Sequence, residues 1–210
     1  MFKKKFLLIL FLSSNLSAQI FASKDLEEGI FFLTKYISSD EYSSIRKTSS
    51  DLDSIDSLFV KSLRYYNNDI AEALLALTFA TLPYSQMPLS LPVSNSKINI
   101  PLPTPQKLLI EKNKNLPSHF LDDSPKNDFG DKDKLAHFFG NAYLSYTFPM
   151  FNISDFLSIF VEKFEEAFKV EGAFDKRDIF VNNLGKKFGN ALHENNSLLP
   201  SYILTQKNLE

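Results

Sequence analysis

The chain has no cysteine and no tryptophan, 6 glycines and 3 histidines among 210 residues. The missing cysteine excludes disulfides, thiol catalysis and zinc–thiolate sites. It also excludes a lipidated-cysteine anchor. Three histidines, His119, His137 and His193, are too few for a multi-histidine zinc site. Neither Gly-x-Ser-x-Gly nor His-Glu-x-x-His occurs, and no glycine loop is built to cradle phosphate. After the first 22 residues no run reaches 18 apolar residues, so no membrane span is expected there.

Positive charge is also scarce. The formal net charge is −2, and removing Lys3, Lys4 and Lys5 from the 23 basic residues leaves 20 against 25 acidic, or −5. That balance argues against nucleic acid as a partner and against simple electrostatic docking on anionic lipid.

What is present begins with a leader. Met1 to Lys5 is basic, Phe6 to Leu12 is apolar, and Ser13 to Ala22 is small and polar. This is the pattern of a secretory signal peptide over residues 1–22, with cleavage after Ala18 or Ala22. The expected protein is exported, periplasmic or secreted, with a peripheral membrane association left open.

The expected fold is mainly α, a single globular helical domain over residues 23–200 with a proline-rich irregular segment in the middle. Five to seven helices are expected. Lys24 to Ile37 carries Leu26, Ile30, Leu33 and Ile37 at helical spacing. Ser38 to Ser50 reads as a loop or ragged helix. Asp51 to Tyr66 is amphipathic, Asn67-Asn68-Asp69 is a break, and Ile70 to Leu82 is apolar nearly all round, hence buried. Residues 83–130 read as irregular. Prolines at 83, 88, 92, 101, 103 and 105 exclude continuous helix, with room for a short edge strand at Ile98–Leu102 and a short helix at Pro105–Asn113. The acidic run Asp122, Asp123, Asp128 and Asp131 lacks the order of an EF-hand calcium loop. Ile153 to Val170 is the best amphipathic helix, with Phe160 and Phe164 on its apolar face and Glu165 at the edge of it. Residues 201–210 read as a frayed tail.

Polar residues at helical spacing single out the stretch from Asp131 to Gly189. Asp133, His137 and Asn141 are four apart and form one helical ridge. Asp178, Asn182, Gly185 and Gly189 fall on one face of a second helix. Two glycines there cost about 1 kcal/mol each relative to alanine, which a close helix crossing would justify. Such a crossing would bring His137 within reach of Asp178 or Asn182. Two readings of the ridge stand together. It is a site in which His137, Asp178, Glu165 and Asp133 are catalytic, and Asn182, Asp175, Glu162 and Lys134 bind. Or it is structural, with Asp131 or Asp133 capping the first helix, Asp175 capping the second, and His137 a satisfied core histidine.

The same residues carry a resemblance. Asp133-Lys-x-x-His137-Phe, a glutamate-bearing helix, and Gly172-x-Phe-Asp-x-x-Asp178-x-x-x-Asn182-x-x-Gly185-x-x-x-Gly189 together resemble the YfiM-type (DUF2279) envelope lipoproteins. They are more distantly similar to VanZ-like proteins. The resemblance covers about residues 128–190. It implies an envelope protein and no particular reaction. This chain differs in lacking the anchoring cysteine, in having no span here, and in carrying Glu162-x-x-Glu165 where VanZ-like proteins have Glu-x-x-Gln.

Two functions fit. One is a non-enzymatic binding or structural module acting on an unidentified envelope protein or lipid. The other is a metal-assisted or acid/base hydrolase of an envelope lipid or glycan, using the His/Asp/Glu cluster. No cofactor is indicated by any motif.

Overall fold

The computed structural model describes residues 24–90, 97–149 and 176–206. The expected signal peptide, the Ile153–Val170 stretch with Phe160, Glu162, Phe164 and Glu165, and Asp175 lie outside the described residues. Among the described residues the chain forms eight helices and one two-stranded sheet. In order these are α1 (Lys24–Ile37), α2 (Asp40–Thr48), α3 (Asp51–Tyr65), α4 (Ile70–Ala80), β1 (Gln86–Ser90), β2 (Lys97–Pro101), α5 (Gln106–Asn115), α6 (Lys134–Thr147), α7 (Lys176–Glu194) and α8 (Pro200–Leu204). The protein is mainly α.

Local chemistry sets the helix boundaries. Ser39 caps α2 by accepting from the Tyr42 amide, and Asp40 and Glu41 at its start and Arg46 and Lys47 at its end suit the helix dipole. Residues 38–50, expected as a loop or ragged helix, are therefore mostly a well-capped helix. Ser50 and Asp53 form a capping box at the start of α3. Asn67 and Asn68 adopt positive φ (53° and 68°) and break the chain, and Asp69 caps α4.

Helix α4 is the hub. Its residues are buried on almost every side, and it packs against α1, α3 and α6. One hydrophobic cluster runs through the fold from Leu26 to Leu204. Aromatic contacts stitch three helices within it: Phe188 meets Phe59 at 5.3 Å and Phe138 at 5.4 Å, centroid to centroid.

The short edge strand and short helix that the sequence left room for in the proline-rich middle are present as β2 and α5, while the partner strand β1 and the chain end differ from the reading of the sequence. Strands β1 and β2 pair antiparallel from Gln86↔Pro101 to Ser90↔Lys97, and α5 follows. In a two-stranded sheet both strands are edges, so Pro88 and Pro101 are tolerated. The chain end is not frayed at residues 201–204. Pro200 opens α8, Asp56 Oδ1 accepts from the Ser201 amide at 2.8 Å, and Ile203 and Leu204 are buried.

Candidate functional site

The candidate site is built on the crossing of α6 and α7, the most extensive helix contact among the described residues. A Cβ on Gly185 would lie 2.3 Å from the Phe138 carbonyl oxygen, and one on Gly189 would lie 2.3 Å from that of Ala142. The helices are therefore in backbone contact, and only glycine fits at either position.

That approach lets polar side chains meet in rungs. Lys134 Nζ donates to Asp178 Oδ1 at 2.5 Å and to Asp133 Oδ2 at 3.0 Å. His137 Nδ1 lies 3.2 Å from Asn182 Oδ1, and its Nε2 lies 3.8 Å from Asp178 Oδ1. Asn141 Nδ2 donates to Asn182 Oδ1 at 2.7 Å and to the His137 carbonyl at 2.9 Å. Ser145 Oγ then reaches the Lys186 carbonyl at 3.1 Å and Asn190 Oδ1 at 2.6 Å. Residues 134, 137, 141 and 145 thus face 178, 182, 186 and 190, one helical turn per rung.

The network fixes the histidine tautomer. The His137 carbonyl can only accept, so the Asn141 group facing it is the amine. That amine also meets Asn182, whose facing atom is then the oxygen. The proton of a neutral His137 ring therefore sits on Nδ1, and Nε2 faces the Asp178 carboxylate. The ring is 2 % exposed and Lys134 is 4 % exposed, whereas the Asp178 side chain is 22 % exposed. Asp133 Oδ1 is buried without a hydrogen-bond partner.

Two expectations about capping are corrected. Asp133 stands at the N-cap position of α6 in αR conformation and makes no side-chain capping bond. Its carboxylate instead pairs with Lys134, so Asp133 does not orient His137. Asp131 does not cap either. It is fully buried, and Oδ2 accepts from the Phe120 and Leu121 amides at 3.1 Å each and from Ser124 Oγ. Oδ1 accepts from Arg177, which also donates to Asp123 at 3.1 Å. Donors fill this carboxylate from every side, which is the opposite of what a calcium ligand needs.

Of the residues singled out from sequence, the structure brings together Asp133, Lys134, His137, Asp178 and Asn182. Glu162, Glu165 and Asp175 lie outside the described residues. Sequence reasoning missed Ser145 and Asn190, although both continue the four-residue spacing from Asn141 and Asn182. It also missed Tyr84, 43 % exposed, which comes to the cluster from the segment before β1. Burial pushes the Tyr84 phenol up, and the charges of Asp133 and Asp178 add to this while that of Lys134 opposes it.

The Lys134 ammonium touches both Asp133 and Asp178, the two carboxylates of the cluster among the described residues, and so takes the part a bound cation would play. Among the described residues no three His, Asp or Glu side chains converge to hold a metal. An open groove of about 290 Å³ runs along α7, lined by Phe180, Asn183, Leu184, Lys186, Lys187 and Asn190, so it does not open onto His137 or Asp178. Among the described residues no helix is long and apolar enough to cross a membrane. No protein family, curated protein or solved structure matches this chain.

Proposed function

We propose that this is an exported envelope protein acting as a non-enzymatic binding or structural module, with the α6/α7 polar ladder serving as an internal lock. The observation that carries this is the burial of His137. Its ring is almost inaccessible, its Nδ1–H is used by Asn182, and Asp178, which Nε2 faces, is already paired with Lys134. A general base must reach a substrate proton, and a closed rung does not offer that. Export rests on the basic and apolar leader, and an envelope location also on the resemblance to YfiM-type proteins. The partner is an envelope protein or lipid.

One observation favours the second reading, a hydrolase of an envelope lipid or glycan. Asp133 Oδ1 is buried without a partner beside Lys134, and Tyr84 stands half-exposed within reach of the same charges. The test has two parts. N-terminal sequencing of envelope-fraction protein is expected to begin at residue 19 or 23, and an intact Met1 on cytoplasmic protein contradicts export. Purified protein incubated with envelope lipids and glycan fragments is expected to release no product. Turnover that His137→Ala abolishes without unfolding the chain would establish the hydrolase instead.

A further inference from the structure

Helix α5 holds a lysine that the polar ladder does not use. Lys112 is 0 % exposed. Its Nζ donates to the Leu82 carbonyl at 2.5 Å, and the next side chain, Asn113, donates to the Pro83 carbonyl at 2.8 Å. Leu82 and Pro83 link the hub helix α4 to the hairpin β1–β2, so α5 clamps the root of that hairpin. The other end of the clamp is α1, where Ser38 Oγ reaches the Leu108 carbonyl and Asn115 reaches that of Ile37.

An ammonium has three donors and needs acceptors or a counter-charge when it leaves water. Among the described residues Lys112 has one carbonyl and no carboxylate partner. The charges on neighbouring elements are engaged elsewhere or face solvent. On α5, Glu111 pairs with Lys114 and both are solvent-accessible. On α2, Glu41 meets Lys61 and Arg46 meets Asp51, while Asp40 and Lys47 are exposed. On α1, Glu27, Glu28 and Lys35 are exposed. Asn113 Oδ1 is also buried without a partner, so the clamp is held by few bonds.

We propose that Lys112 is a proton-operated latch: its neutral amine closes α5 onto the Leu82 carbonyl, and gaining a proton releases α5 and the hairpin root toward water. Burial brings the Lys112 amine down from 10.5 to about 7 in the closed fold. With the closed value depressed, the open form binds the extra proton more tightly. Opening is therefore favoured as pH falls from 10.5 toward 7, and the effect levels off below 7. Between pH 8.5 and 6 these values imply a rise of about 30-fold in the population of the open form.

Hydrogen exchange on the full chain reads this directly. After correction for intrinsic exchange, protection of the α5 amides and of the Leu102 amide, which bonds the Ser85 carbonyl, should drop about 30-fold from pH 8.5 to 6. Protection of α6 amides should change far less, and in Lys112→Met the clamp amides should lose the dependence. An equal drop in α6, or an unchanged dependence in Lys112→Met, overturns the latch. If Lys112→Met fails to fold, the Lys112 Cε shift of the wild type decides. A midpoint near 7 shared with the exchange data supports the latch, and a midpoint near 10.5 overturns it.

Discussion

A Cβ on Gly185 would stand 2.3 Å from the carbonyl oxygen of Phe138, well inside contact distance. The obstacle is backbone, so neither helix can yield by turning a side chain. Gly185→Ala should therefore destabilise the protein by about 1–3 kcal/mol, against the roughly 1 kcal/mol that alanine gains in helix propensity. Gly140→Ala is the control, because its Cβ would meet only the Thr78 side chain, the methyl at 3.2 Å and the hydroxyl at 3.9 Å. Urea denaturation of the two variants should separate them clearly.

Among the described residues Lys134 serves two carboxylates, and Asp178 serves one ammonium and faces one ring. Lys134→Met should cost about 3–5 kcal/mol, since it strands both Asp133 and Asp178. Asp178→Asn should cost less, because Lys134 keeps Asp133 and the Asp178 site is partly hydrated. The denaturation midpoints should fall in that order, and a reversed order would show that Asp178 anchors the rung through His137.

Much of this crossing was legible in the sequence. Four-residue spacing puts His137 and Asn141 on one face whatever the rest of the chain does, and glycines at 185 and 189 mark where a backbone must come close. Lys134 was harder to place, because lysine at a helix start ordinarily points to solvent. Its inward turn depends on Asp178, 44 residues away. The Asp131–Arg177 pair spans 46 residues, and no local spacing encodes it. Tyr84 arrives from a proline-broken segment whose path depends on where α5 clamps it. The α2 helix was hidden by its serines, which weaken helix propensity, until Ser39 is seen as a cap.

Asp51 ties the loop after α5 to the start of α3, accepting from the Ser118 amide at 2.7 Å and the His119 amide at 2.6 Å, and pairing with Arg46. Burial alone would raise this carboxyl, but the Arg46 bond and the two amides hold it below its ordinary value of 3.8. A depressed folded value means that the stabilisation is complete above the ordinary value and is lost as pH falls through the folded one. Stability of the wild type should therefore decline below about pH 4, and Asp51→Asn should flatten part of that decline. Urea midpoints at pH 7 and pH 3 for both proteins measure it.

The lock at α6 and α7 is tested most directly by the stability of His137→Ala with and without divalent metal ions. Truncation removes the ring's bond to Asn182 Oδ1 and leaves a gap in the buried crossing, so the unfolding free energy should fall by about 1–3 kcal/mol. Magnesium, zinc or calcium should shift wild type and variant equally or not at all. An unchanged stability, together with a metal- or ligand-dependent stabilisation seen only in the wild type, would contradict the lock and make His137 a functional ligand.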